Sequence, residues 1–240
     1  MESSSWSGRR IAGLAGIAFA VVTIVGFALG DPPVFDDPAA DVREFFVDGD
    51  AQVHAATWLA GLAFVFLFLP FAAGLRNLLA AAEEADEHMW ARLSYTGAVL
   101  MTAISLVGLS FHEVLSLGTA ESLSDETLVA LARFDTVLFL ALLPWAMALF
   151  LVAASIVIIR SGVLARWVGW LGGTGSLMLT VGTLWIFAED DESALALLAA
   201  IGILVLFLWI LVAGATMARS GEQPAPRDVH RLDREMTTSS

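Results

Sequence analysis

The sequence contains no cysteine and no lysine, and it has a single tyrosine. Without cysteine the chain can form no disulfide, and it supplies neither a thiolate nucleophile nor a Cys-ligated zinc or iron–sulfur site. Charged residues are also scarce, at 15% of the chain, whereas an ordinary soluble domain has about 25%. The net charge is −13. Because no basic patch is available to neutralise phosphates, this composition argues against nucleic acid as a partner.

Apolar residues take the place of the missing charges. They make up 58% of the chain, and the mean hydropathy is +0.79, an excess that lipid accommodates and a hydrated surface does not. A hydrocarbon core about 30 Å thick requires roughly 20 apolar residues in a helix. Six stretches meet this requirement: Ile11–Leu29, Ala55–Leu75, Leu93–Leu117, Val137–Ile159, Trp167–Phe187 and Ala194–Met217. The sequence therefore predicts an all-α, polytopic bundle of six transmembrane helices within residues 1–219, embedded in the lipid bilayer, and a disordered tail at residues 220–240.

The arginines predict the orientation of this bundle. Ten of the 12 fall on one side of the predicted spans: Arg9, Arg10, Arg76, Arg92, Arg160, Arg166, Arg219, Arg227, Arg231 and Arg234. Basic residues in short loops favour the cytoplasmic side, so both termini are predicted to be cytoplasmic, with the protein in the cell (plasma) membrane. One alternative stays open. Arg9 and Arg10, the first apolar run and Ala28-Leu29-Gly30 resemble a signal peptide, whose cleavage would leave five spans.

Local patterns predict where helices begin and bend. Pro70 and Pro144 interrupt the second and fourth spans and predict helix kinks there. Ser124, followed by Asp125 and Glu126, is typical of a helix start with acids in the first turn. The fourth helix is therefore predicted to begin near Asp125, ahead of its apolar run.

Other patterns predict how the helices pack. In the first outer loop, Asp41–Val47 predicts a short helix whose Phe45 and Phe46 rest on the membrane surface. Small residues that recur every four positions allow close helix approach, as in the pairs Gly26 with Gly30 and Gly169 with Gly173. A small, partly polar stripe on the third span is predicted to face the bundle interior: Gly97, Met101, Ser105, Gly108 and His112.

The side chains that are able to carry chemistry collect near the predicted outer ends of the spans. They are His54, His112, Glu113, Arg133, Asp135 and Glu189. At 1.5 Å per residue, His112 lies roughly 30 Å from the inner Arg92, at the edge of the hydrocarbon core. Glu113 lies at the same edge, and the other candidates lie just above it. Their similar heights would allow them to converge, and ionisable residues at membrane depth are functional candidates.

Three interpretations of this polar cluster remain open. In the first, His54 and Glu189 face interfacial water, Arg133 or His112 pairs with a nearby acid, and the cluster is structural. In the second, the cluster is a proton-linked or cation-binding vestibule. In the third, His54 and His112 ligate haem, or join an acid around zinc. No ligand motif such as H-E-x-x-H occurs in the sequence, so we predict neither a metal site nor a cofactor.

Two segments resemble parts of known membrane proteins. Arg160–Gly172, which opens the fifth span, and Phe71–Arg76, which closes the second, resemble segments of small multi-spanning, about six-helix membrane proteins of actinobacteria. The exclusive use of Arg is also typical of a GC-rich genome. Those families have no established activity, so the resemblance implies topology and localisation and contributes no catalytic residue. Their motif usually has Pro where this chain has Ala165.

The sequence contains no Ser/His/Asp elbow, P-loop or dinucleotide fingerprint, which disfavours an enzyme. We expect a multi-pass membrane protein with a structural, accessory or partner-binding role, in which the partner is another membrane protein or a second copy of the chain. A small transporter or channel-like protein that uses the helices with Pro70 and Pro144 is one alternative. A membrane metallo- or haem protein using His54 and His112 is another.

Overall fold

The computed structural model describes residues 8–28, 37–83, 88–187 and 193–220. These residues form seven helices, and no strand occurs among them. The predicted tail after Ser220, the cleavage-site residues Leu29 and Gly30, and Glu189 lie outside the described residues.

The seven helices are numbered in chain order. Three are α1 at Gly8–Ala28, the short α2 at Ala39–Val47 and α7 at Ala194–Ser220. The other four contain changes of helix type. These are α3 (Asp50–Leu62, a π-helical turn at Ala63–Phe68, then Leu69–Ala80), α4 (Met89–Val114, a π-helical turn at Leu115–Thr119, then Ala120–Ser122), α5 (Asp125–Val137, a π-helical turn at Leu138–Leu142, then Leu143–Ser161) and α6 (Arg166–Gly182 with a 3₁₀ end at Thr183–Phe187).

All of these helices except α2 are long and apolar enough to cross a membrane, by length and composition. The predicted all-α chain with six apolar helices is thus confirmed for the described residues. The start of α5 also follows the prediction, because the Ser124 side chain accepts a hydrogen bond from the Thr127 backbone N–H.

A π-helical turn stands directly before each of the two prolines singled out in the sequence. Pro70 follows the turn at Ala63–Phe68, and Pro144 follows the turn at Leu138–Leu142. A proline has no N–H for the carbonyl four residues earlier, which for Pro144 is the carbonyl of Leu140. That carbonyl instead accepts a hydrogen bond of 3.1 Å from the indole of Trp185 on α6. The proline therefore leaves this carbonyl available as an acceptor, and the resulting hydrogen bond joins α5 to α6.

The six long helices pack in a closed ring. Each contacts its neighbour in the chain, and α7 returns to pack along α1. Aromatic side chains fill the centre of the bundle. Phe19 contacts Phe68 at a centroid distance of 4.8 Å, and Phe150 meets Trp209 edge to face at 5.5 Å. The buried Trp209 indole donates to the carbonyl of Val168 at 2.9 Å.

Glycines set the closest helix crossings. A Cβ added to Gly13 would lie 2.5 Å from the carbonyl oxygen of Gly214, where α1 meets α7. A Cβ on Gly97 would lie 2.6 Å from the backbone nitrogen of Phe150 on α5. The glycine pairs predicted from the sequence contribute less to close helix packing. Gly169 does contact α5, but Gly26 and Gly173 have nothing within 4 Å of an added Cβ.

Candidate functional site

The polar cluster lies at one end of the bundle, which we call the α2 end. Here the last turn of α4 meets the first turns of α3 and α5, and α2 packs over them. A satellite hydrophobic core holds this arrangement together: Val42, Phe46, Val53, Leu115, Ala120, Leu128 and Ala132. The expectation that Phe46 rests on the membrane surface is wrong, because this side chain is 3% exposed and packs against the His112 ring. Because Val42 and Phe46 are buried, the face of α2 that carries them packs against the bundle.

The first polar contact joins α4 to α5. The Nε2 atom of His112 lies 2.7 Å from Oδ2 of Asp135, and both side chains are 17% exposed. The His112 ring packs between Phe46, at 5.8 Å between centroids, and Phe139, at 5.9 Å. Gly108, one turn before His112, makes the approach feasible, since a Cβ there would lie 2.4 Å from the Phe139 ring. The histidine of this pair is thus packed between two aromatic rings at the edge of the core.

The second polar contact joins α3 to α4. The Nδ1 atom of His54 lies 2.8 Å from Oε1 of Glu113. This pair is more open to the surface, with side-chain exposures of 33% for His54 and 40% for Glu113. Because His112 and Glu113 are neighbours on a helix, their side chains diverge by about 100°. They therefore reach different partners, and α4 is attached to α3 on one side and to α5 on the other.

Sequence reasoning missed Arg43 as a member of this end. Its guanidinium lies against the α4–α5 connection, where it bonds the carbonyl of Ala120, the carbonyl of Leu123 at 3.0 Å and the carboxylate of Asp125 at 2.7 Å. Arginine at the end of a helix satisfies carbonyls that have no intrahelical partner. The chain there departs from helical geometry, with Gly118 at φ 82°. Only the tertiary fold brings α2 to this turn.

Of the two remaining predicted site residues, Glu189 lies outside the described residues and Arg133 lies on α5. Arg133 is exposed on α5, two residues before Asp135, and helix geometry places it about 200° around from that carboxylate. In the part of the chain that the structure describes, no group of three or more His, Asp or Glu side chains is placed to hold a metal ion. The chemistry available at the α2 end is thus that of two His–carboxylate pairs, each able to hold or exchange a proton.

One atom of the site lacks a hydrogen-bond donor among the residues that the structure describes. Oδ1 of Asp135 is buried and makes no hydrogen bond to a described residue. A buried carboxylate oxygen without a donor is costly, so the contact of Oδ2 with His112 is the main compensation for burying this carboxylate. Because of this oxygen, the carboxylate of the α4–α5 pair depends more on its histidine than the carboxylate of the α3–α4 pair does.

The fold and the apolar helices define the class of this molecule as a multi-pass helical membrane protein. Residues 11–214 match the model of a protein family described as a domain of unknown function, DUF4386. The chain belongs to this family. No curated protein and no solved structure matches the sequence.

Proposed function

We propose that this chain is a structural or accessory protein of the cell membrane that works by binding a membrane-protein partner or a second copy of itself. The observation that carries this proposal is the mutual pairing of His54 with Glu113 and of His112 with Asp135. Each pair joins two different helices, so these side chains have a packing role that accounts for their presence. On this proposal the polar cluster stabilises the α2 end and performs no reaction.

The test compares three strains of the source organism: wild type, a deletion, and a chromosomal His112→Phe/Asp135→Leu replacement. Quantitative mass spectrometry of the membrane fraction measures the abundance of this chain and of other membrane proteins. We expect the deletion to lower the abundance of specific partners, and the double variant to leave them at wild-type levels. A double variant that accumulates normally but reproduces the deletion profile would show that the polar pair has a function of its own.

The orientation is part of the proposal, with both termini in the cytoplasm. The absence of cysteine makes single-cysteine variants unambiguous reporters. Ser122 and Ala165 are both exposed, at opposite ends of the bundle. We expect Ser122→Cys to react with a membrane-impermeant maleimide in intact cells, and Ala165→Cys to react only after permeabilisation. The reverse labelling pattern would overturn this orientation.

A second candidate is a small transporter. The π-helical turns before Pro70 and Pro144 favour it, because π-turns in helices are frequent at functional sites. Three buried hydroxyls also have no hydrogen-bond partner among the described residues, those of Ser105, Ser116 and Ser155. Reaction of Ser105→Cys or Ser155→Cys with a water-soluble maleimide in proteoliposomes would indicate water inside the bundle and favour transport. Protection of both cysteines would favour the accessory role.

A haem or zinc centre on His54 and His112 is the remaining alternative. The carboxylate partners of both rings are compatible with metal-ligating histidines, which commonly bond a carboxylate through their second nitrogen. Metal analysis of the purified protein, with His112→Ala as the comparison, decides this point.

A further inference from the structure

A cleft lies at the end of the bundle opposite α2, between the last turns of α3 and the first turns of α4. Its volume is about 500 Å³. Each helix lines it with residues spaced at i, i+3 and i+4, which form one stripe on a helix face: Ala73, Arg76 and Asn77 from α3, and Arg92, Tyr95 and Thr96 from α4. Two facing stripes on antiparallel helices thus form its walls, with an arginine on each.

Neither arginine of this cleft makes an ion pair with a described residue. Arg76 donates to the side-chain oxygen of its neighbour Asn77 at 3.2 Å. The described acid of the α3–α4 connection, Glu83, is engaged elsewhere, because it accepts the backbone N–H groups of Trp90 and Ala91 at 3.0 Å each. Glu83 therefore caps α4, and the two guanidinium groups have donors available for an anion.

We propose that Arg76 and Arg92 bind the phosphate of an anionic phospholipid whose acyl chains lie along the α4 surface. Guanidinium groups are suited to phosphate oxygens, and basic clefts between membrane helices bind acidic headgroups. Both arginines stand at the ends of apolar runs, which begin at Leu93 on α4 and end at Leu75 on α3. This is the height of lipid phosphates relative to the hydrocarbon core.

The deeper half of the cleft favours a lipid over a free anion. Away from the helix ends, Ala73 and Thr96 form its walls, and the α4 surface continues with Val99 and Leu100, which are 42% and 45% exposed. A free phosphate would leave this apolar half unused. Tyr95, between the arginine and the apolar surface, is of the residue type enriched at the membrane interface.

The experiment is native mass spectrometry of the full chain in detergent, titrated with phosphatidylglycerol and, separately, with phosphatidylcholine. For Arg76→Gln/Arg92→Gln we expect affinity for phosphatidylglycerol to fall about 25-fold, because each basic residue near an acidic headgroup contributes roughly a factor of five. Thr96→Trp keeps both charges and fills the apolar half, and it should weaken the same binding. Both variants should bind phosphatidylcholine as the wild type does.

The matched control is Arg160→Gln/Arg166→Gln, which removes the same charge from two exposed arginines outside the cleft. We expect it to bind phosphatidylglycerol as the wild type does. An equal loss in this control would show charge attraction without a site and would overturn the proposal. Glycerol 3-phosphate that binds as tightly as the full lipid would overturn it as well, because the site would then be one for a free phosphate.

Discussion

Replacing Gly97 by leucine is expected to push α4 away from α5 and to lower the free energy of unfolding by about 3 kcal/mol. A Cβ at this position would lie 2.6 Å from the backbone nitrogen of Phe150, 2.9 Å from its Cα and 3.0 Å from the carbonyl oxygen of Ala146. These are backbone atoms, so no side-chain rotation relieves the overlap. The measurement is thermal unfolding in detergent, followed by the fluorescence of the eight tryptophans.

Gly173→Leu supplies the control for this substitution. Gly173 also lies within a membrane-spanning helix, but nothing stands within 4 Å of an added Cβ. The same gain in side-chain volume should therefore change the free energy of unfolding by less than about 0.5 kcal/mol. Gly97→Ala should fall between the two, since it adds the overlapping atom alone. If both leucine variants unfolded at the same temperature, the crossing at Gly97 would not be a close one.

Replacing His112 by phenylalanine is expected to lower the free energy of unfolding by about 3 kcal/mol, although the new ring keeps the packing between Phe46 and Phe139. The cost arises at Asp135. Its Oδ1 has no hydrogen-bond partner among the described residues, and Oδ2 would lose the one it has. A largely buried carboxylate would then be left without compensation. The measurement is again thermal unfolding of the purified protein.

The double variant His112→Phe/Asp135→Leu should recover most of that loss, because removing both partners leaves no unpaired charge.

The His54–Glu113 pair is the matched comparison, since it has the same chemistry at roughly twice the exposure. His54→Phe, Glu113→Leu and their combination should reveal a coupling below about 1 kcal/mol, as is usual for exposed pairs. Equal coupling energies for the two pairs would mean that burial does not determine how strongly each histidine stabilises its carboxylate.

Composition and periodicity could predict the membrane-spanning helices because lipid imposes a length and an apolar character on each segment independently. The stripe on the third span was predictable for the same local reason: Gly97, Met101, Ser105 and Gly108 share one face, and all are buried. The start of α5 at Asp125 follows from Ser124 and the acids beside it. Each of these features is determined by a few neighbouring residues.

The candidate site was only partly predictable because its partners come from different helices. The sequence predicts similar heights for His54, His112, Glu113 and Asp135, but rotation about each helix axis decides which of them meet, and the structure pairs them two by two. The position of α2 likewise depends on contacts with other helices. An amphipathic segment with Phe45 and Phe46 suits a membrane surface as well as a protein core, and only docking through Arg43 selects the core.

The seam between α1 and α7 has a consequence for how the chain is made. Helix α1 enters the membrane before α7, and it packs as extensively against α7 as against α3, with the α1 and α7 backbones meeting where Gly13 faces Gly214. Until α7 has been made, this side of α1 lacks its α7 neighbour and is covered by lipid or by the insertion machinery. The ring closes only when α7 has been made. A chain that stops before α7 therefore carries an open seam on α1, a feature by which quality control can distinguish it from a chain that includes α7.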